Sequence, residues 1–192
     1  TLAGDLDQRI MLGRKNESWE ESLSHLTLPD GSKPDVTTLE PLKIGYRSTN
    51  EIMVAAKNVI GEHSLNTEWH STRHGAPVDV FRFKQRGAMI AFLAETLKDL
   101  SIREPLANVA VLSRTPETAE FIFEGLKLTD LADCRIIREQ EFTFTPGIDV
   151  TDITQTKGLE FDSVIIADAD ASTYGPDIRS RQLLYVGLTR AS

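Results

Sequence analysis

The chain has a single cysteine, Cys134, in its 192 residues, which excludes an intramolecular disulfide and suits a reducing compartment. Set in the apolar stretch Leu-Ala-Asp-Cys-Arg-Ile-Ile, that thiol reads as a small core hydrophobe rather than a nucleophile. No apolar run approaches the ~20 residues of a membrane-spanning helix, and no signal-like amino terminus is present. The expectation is therefore a cytoplasmic protein without a membrane partner. Basic charge is also short: 21 Lys and Arg face 29 Asp and Glu, a net charge of −8. A domain that holds nucleic acid by electrostatics alone is normally basic, because neutralised phosphates supply most non-specific affinity. Any nucleic-acid contact here must be local, or be completed by other parts of a larger protein. The sequence starts at Thr1 without an initiator Met and stops at Ser192 as a helix finishes, so it reads as a fragment of such a protein.

What is present is ordinary in bulk, with 40% hydrophobic and 26% charged residues, enough for one substantial core. Residues 1–10 read as a strand end and turn. Residues 11–40 are polar and turn-rich, with Pro29-Asp30-Gly31 and Lys33-Pro34-Asp35 as breakers. They form a connector, part of it without stable structure, around a short amphipathic helix near Ser18–Leu26 capped by Ser18. From Pro41 strands and helices alternate. Short strands are expected at Leu42–Ile44 and Val78–Phe83, and a continuous apolar strand of the buried kind at Asn108–Ser113. Further strands are expected at Cys134–Ile137, Ile148–Ile153 and Ser163–Ala167. Helices are expected from Ser48 or Thr49 to about Ile60, over Gly87–Leu100, from Thr115-Pro116 to about Gly125, and over Ile178–Arg190. This alternation predicts an α/β fold, a mostly parallel sheet flanked by helices.

Four short motifs are set in this frame: Gly-Asp-Leu-Asp-Gln at 4–8, Gly-Tyr-Arg-Ser-Thr at 45–49, Thr-Lys-Gly-Leu-Glu-Phe-Asp at 156–162 and Leu-Tyr-Val-Gly-Leu-Thr-Arg-Ala at 184–191. Each has a physical reading. The Gln8 amide can hydrogen-bond both a phosphate oxygen and a water. Tyr46 offers a flat ring, and Arg47 a planar cation whose fork binds phosphate oxygens two at a time. Gly158 allows close approach of backbone, and Glu160 can accept a bond from a hydroxyl. Arg190 brings a second guanidinium from the end of a helix. Plainer alternatives stand beside each: a surface turn at Gln8, Tyr46 in the core, Arg47 paired with a carboxylate, and Arg190 placed favourably at a helix carboxyl terminus.

Taken in order, the four motifs resemble the superfamily 1 helicases of the UvrD/Rep type, and specifically their second RecA-like domain. The resemblance implies a RecA-like fold of the P-loop-NTPase type, with residues 1–10 closing the first motor domain and 41–192 forming the second. It implies that Tyr46 stacks on the adenine of ATP and Glu160 takes the ribose. Gln8, Arg47 and Arg190 would address the γ-phosphate, with Gly158 at the cofactor. Thr154 and Lys157 would reach nucleic-acid phosphate. The partners implied are the first RecA-like domain of the same protein and single-stranded DNA or a duplex junction. No G-x-x-x-x-G-K-[ST] phosphate loop occurs in the chain. The Walker A loop and the carboxylates that hold Mg2+ would sit in the first domain, and this chain alone should not hydrolyse ATP.

Departures from the family pattern point to the nucleic-acid side. Where strand-tracking members carry Thr-Leu-His, this chain has Asp152-Ile153-Thr154, and where they carry Ser-Ile-Tyr after the first motif it has Arg9-Ile10-Met11. An exposed Asp152 would repel phosphate. These changes resemble the HelD-like branch, whose members engage RNA polymerase, as much as UvrD itself. The interval from Arg47 to Asp152 is too short for the large insertion that UvrD and Rep carry there. His63, His70 and His74 lie near Glu62 and Glu68, but without a recognised ligand spacing, and read as solvated. Asp162, Asp168 and Asp170 flank a strand end and read as turn and edge residues. No metal site is expected.

Overall fold

The computed structural model describes residues 8, 24–25, 27–33, 44–61 and 70–192. The expectations for residues 1–7, 9–23 and 34–43, including the amphipathic helix at its start, and for His63, lie outside the described residues. The breaker Pro29-Asp30-Gly31 is a turn. Gly31 has φ 82° and its N donates to Leu28 O at 2.9 Å, while Asp30 Oδ1 accepts from Ser32 N.

A two-stranded parallel sheet pairs β1 (Ile44–Gly45) with β2 (His70–Ser71). Between them lies α1 (Asn50–Ile60), whose amino end is capped by the Thr49 side chain accepting from Ile52 N at 3.4 Å. Of the two capping candidates, Ser48 is used otherwise: its hydroxyl donates to Ala191 O at 2.7 Å, joining this turn to the end of the chain.

The main sheet has four parallel strands in the order β4 (Cys134–Ile136), β5 (Gly147–Asp152), β3 (Asn108–Ser113), β6 (Ser163–Ile166). The central pair is in register from Asn108 against Gly147 to Ser113 against Asp152. Helices α2 (Arg86–Arg103), α3 (Pro116–Lys127) and α4 (Ile178–Leu188) complete the α/β fold.

Alternation along β3 decides which helices cover which face, because successive strand side chains point to opposite sides. Val109 and Val111, with Ile148 and Val150, pack under Ile90, Leu93 and Leu97 of α2 and Ala119, Ile122 and Leu126 of α3. Ala110 and Leu112 face the other way, against Ala56 and Ile60 of α1 and Tyr185 and Val186 of α4. A strand buried on both faces needs a continuous apolar run, which is what made β3 legible in the sequence. Cys134 lies half-buried in β4, and its burial, helped by the Asp149 charge, pushes the thiol up to about 11. It is a packing residue with little thiolate at neutral pH.

The strand expected at Val78–Phe83 does not form; the segment is irregular and exposed, while α2 begins at Arg86. Its period of two is genuine, but Phe81 and Phe83 spend their rings on Phe92 of α2, at centroid distances of 4.6 and 5.2 Å. Packing on a helix has won over strand propensity.

Helix α4 approaches the sheet closely at Gly187, where a Cβ would lie 2.9 Å from Ile153 Cδ1 and 3.2 Å from Ile166 Cδ1. Gly187→Val is therefore expected to lower the stability of the chain by about 1–3 kcal/mol through overpacking, read as a lower urea midpoint at unchanged slope.

Candidate functional site

The turn from β1 into α1 carries Tyr46 and Arg47. Tyr46 is 73% exposed, so the alternative of a core tyrosine is excluded. Arg47 forms an ion pair with Glu160, Nη2 to Oε1, and both side chains remain 41–49% exposed. The alternative of an Arg paired with a carboxylate is thus realised, and the carboxylate is the very one implied as the ribose acceptor.

Glu160 ends a loop that leaves β5 through a short 3-10 helix, Ile153–Thr156. Gly158 turns this loop with φ 85°, and nothing lies within 4 Å of where its Cβ would be. The glycine is required by its left-handed backbone rather than by crowding inside the chain. The next residue, Leu159, offers its carbonyl to Arg190.

Arg190 is 1% exposed and is the largest fully buried side chain among the described residues. Its Nε donates to Val186 O at 3.2 Å, its Nη1 to Leu159 O at 3.2 Å, and its Nη2 to Gln8 Oε1 at 2.7 Å. A buried guanidinium cannot shed its charge and must find such acceptors. Three of the four motifs meet at this one side chain. Through Leu159, Glu160 and Arg47 the fourth joins them. Gln8 and Arg190, linked through the Leu159–Glu160 backbone to the Glu160–Arg47 pair, form a polar array, and the exposed Tyr46 precedes Arg47 in the chain.

The two nucleic-acid candidates, Thr154 and Lys157, lie on the same short 3-10 turn. Asp152 is 3% exposed and caps the 3-10 helix, its Oδ1 accepting from Thr154 N at 2.9 Å and from the Thr154 hydroxyl. The condition for Asp152 to repel phosphate, exposure, is not met: the carboxylate is spent on the cap. Thr154 is exposed, with its hydroxyl engaged in that same cap. Lys157 is exposed and makes no hydrogen bond or ion pair among the described residues. A hollow of about 210 Å³ opens beside this capped turn, between Ala119, Glu120, Arg138 and Gln155.

Sequence reading passed over two groups. The loop 71–75 lies against the start of α1: Arg73 Nη1 donates to Arg47 O at 2.6 Å, and Glu51 receives His74 Nδ1 at 3.0 Å and Gly75 N at 2.9 Å. The Glu51 carboxyl is held down at about 2, chiefly by the His74 bond and then by the Gly75 N–H. His74 is thus not merely solvated, and Arg73-His74-Gly75 beside a helix start was the available signal. The second group closes the carboxyl ends of β3 and β6. Arg114 N donates to Asp168 Oδ2, Arg114 Nη1 to Ser180 Oγ, and the Tyr174 hydroxyl to Asp168 Oδ1, with the guanidinium over the Tyr174 ring. Burial raises both the Tyr174 phenol and the Asp168 carboxyl. Asp170 caps its own turn and Asp162 accepts from Asn108 N, the turn and edge roles expected of them. Among the described residues no group of three His, Cys, Asp or Glu converges as a metal site, and no helix is long and apolar enough to cross a membrane.

Residues 147–192, which hold β5, the Gly158 loop, β6 and α4, match the family model of the UvrD-like helicase C-terminal domain. The fold is similar to that of the C-terminal domain of a possible DNA helicase from Lactobacillus plantarum WCFS1. That likeness has a TM-score of 0.61 and 24% identity, over 76% of this chain and 81% of that one. At such identity it speaks for the fold. No curated protein matches the chain. The resemblance read from the motifs is supported by the family match over residues 147–192, and the expected α/β fold by the structural likeness.

The Arg190 bonds imply a structural role measurable by itself. Arg190→Ala should cost at least ~1.5–3 kcal/mol, the value of one charged hydrogen bond, since Leu159 O loses its donor while Val186 O keeps the Thr189 hydroxyl. Gln8→Ala should cost less, because Gln8 is only half-buried and water can replace its amide. Urea denaturation of the two variants tests that order; equal stabilities would contradict the buried geometry.

Proposed function

We propose that the chain is the second RecA-like motor domain of an ATP-dependent superfamily 1 DNA helicase or translocase. In this reading it completes an ATP site whose phosphate loop and Mg2+ ligands belong to the first motor domain, and couples hydrolysis to movement on single-stranded DNA. The observation that carries it is the array itself. Residues as far apart as Gln8 and Arg190, and Arg47 and Glu160, are brought into one chain of contacts. Two guanidiniums, an amide, a carboxylate and an exposed aromatic ring are the set that a nucleoside triphosphate requires, so the residues present fit ATP.

Each role is the one the family resemblance implies, and the geometry leaves room for it. The exposed Tyr46 ring stacks on the base. The Arg47–Glu160 pair is half-exposed, and such pairs contribute only ~0–1 kcal/mol. It is readily exchanged, with Glu160 accepting from a ribose hydroxyl and Arg47 turning to the γ-phosphate. Arg190 keeps Nε and Nη1 on backbone carbonyls and offers Nη2, the donor now on Gln8, to the same phosphate. Preorganised cations of this kind stabilise the charge that develops as water attacks. Lys157, exposed and unengaged, is the better of the two candidates for nucleic-acid phosphate, since the Thr154 hydroxyl is already used. The alternative of a HelD-like ATPase acting on RNA polymerase draws on the acidic net charge, Asp152 and Met11; the buried cap at Asp152 weakens one of these three grounds.

Because Arg190 is also a structural clamp, Arg47 is the cleaner probe. In the full-length protein Arg47→Ala should lower ATP turnover about 10³-fold or more, the range of an arginine finger, without a loss of stability above ~1 kcal/mol. Wild-type turnover should rise with single-stranded DNA, and the 192-residue chain alone should show none. Unchanged turnover in Arg47→Ala would overturn the assignment.

A further inference from the structure

We propose that the loop Ser71–Gly75 is a strap that sets the position of Tyr46 and Arg47, with Arg73 as the positioning residue. This deepens the nucleotide-site reading and rests on it. Tyr46 and Arg47 sit in a bend between a two-residue strand and a helix. Ser48 ties the bend to Ala191 O, while the carbonyls of Tyr46 and Arg47 are met from the strap, and the proposed exchange of Arg47 between Glu160 and phosphate asks for a fixed backbone.

The strap supplies that support from several sides. Arg73 Nη1 donates to Arg47 O at 2.6 Å and, more weakly, to Tyr46 O at 3.5 Å, so one guanidinium grips the carbonyls of both residues. The strap backbone is joined in turn to the helix start, with Asn50 N donating to Arg73 O at 2.8 Å. Glu51, in the first turn of α1, accepts from both His74 Nδ1 and Gly75 N through its two oxygens. Arg73 itself is oriented by a tight local turn in which its N donates to Ser71 Oγ at 3.1 Å. Gly75 is required by space: a Cβ there would lie 2.8 Å from Thr49 Cγ2, the side chain of the residue that caps α1. Bonds at and just after the motif, to Tyr46, Arg47, Asn50 and Glu51, converge on the same three-residue stretch, Arg73-His74-Gly75. Arg73 acts through the backbone of the motif and needs no contact with the nucleotide.

Two measurements on Arg73→Ala, Arg73→Lys and Gly75→Ala test this. The first is amide hydrogen exchange on the chain as it stands. Exchange over residues 45–50 should quicken by about tenfold or more in Arg73→Ala, a local opening made easier by one hydrogen bond to a charged group. Protection in β3 and β5 should stay unchanged. The second is steady-state ATP turnover of the full-length protein. Displacement of a catalytic group by about 1 Å costs up to ~10²-fold, so Arg73→Ala should both raise KM and lower kcat. Arg73→Lys should rescue only in part, because a point charge cannot grip two carbonyls with the fork's geometry. Full rescue by Lys would mean that Arg73 merely attracts the nucleotide, and would overturn the positioning role. Unchanged exchange over 45–50 would overturn the strap whatever the kinetics. If exchange quickens but Tyr46→Ala and Arg47→Ala leave turnover unaltered, the strap stands and the nucleotide reading falls.

Discussion

Arg190 is a charge that cannot be neutralised, placed where water does not reach, and much of the local structure is the solution to that problem. A guanidinium buried to 1% exposure must have its donors met. Its own helix supplies one acceptor at Val186, the Gly158 loop another at Leu159, and Gln8 a third. The residues on either side extend the seam. Phe161 N donates to Arg190 O at 3.0 Å, Ser192 N to Phe161 O at 3.1 Å, and Ser48 closes on Ala191 O. The end of α4, the loop out of β5 and the turn into α1 are therefore held by the Arg190 side chain together with backbone bonds at residues 190–192.

That seam makes a functional surface out of a generic α/β core. The core explains why β3 is apolar throughout and why helices lie on both faces, but it would be satisfied by many loops. The polar array lies where the seam joins three of them. Its two guanidiniums have contrasting burdens. Arg190 is locked by backbone acceptors and moves only if helix and loop move. Arg47 holds Glu160 through a half-exposed pair that solvent screens, so it can change partner without disturbing the fold. One arginine fixes the geometry of the site and the other is free to respond to what enters it.

Most of the architecture was legible because its signals are local. The buried run Asn108–Ser113, the Thr115-Pro116 start of α3 and the glycine at 158 each report a constraint that acts within a few residues. The motifs placed Arg47, Glu160 and Arg190 on the correct loops and helix end. What could not be read were choices settled by distant partners. Val78–Phe83 alternates as a strand does, and nothing within it tells that Phe92 will take its rings. Asp152 looks like a charge facing a ligand, yet one residue either way decides whether it caps a helix instead. Ser48 and Thr49 are equivalent caps until the far end of the chain claims Ser48.

Net charge posed an apparent conflict with a phosphate-binding role, and the positions of the cations resolve it. The chain as a whole carries −8, but its field is not what a buried or half-buried site feels, because screening within about 10 Å leaves the near neighbours dominant. Near the array those neighbours are Arg47, Arg190 and Arg73, with Lys157 on the adjoining loop, against Glu160 and Glu51. Both carboxylates are already engaged, one by Arg47 and the other by His74 and Gly75. Each of these two carboxylates thus has a local partner. An acidic exterior with a small cationic patch disfavours broad, non-specific binding of polyanions and leaves attraction only where donors are aimed. Such a surface suits a compact phosphate group held by geometry better than a long nucleic-acid track held by charge; in the proposed reading, strand contact then falls to few residues and to the first motor domain.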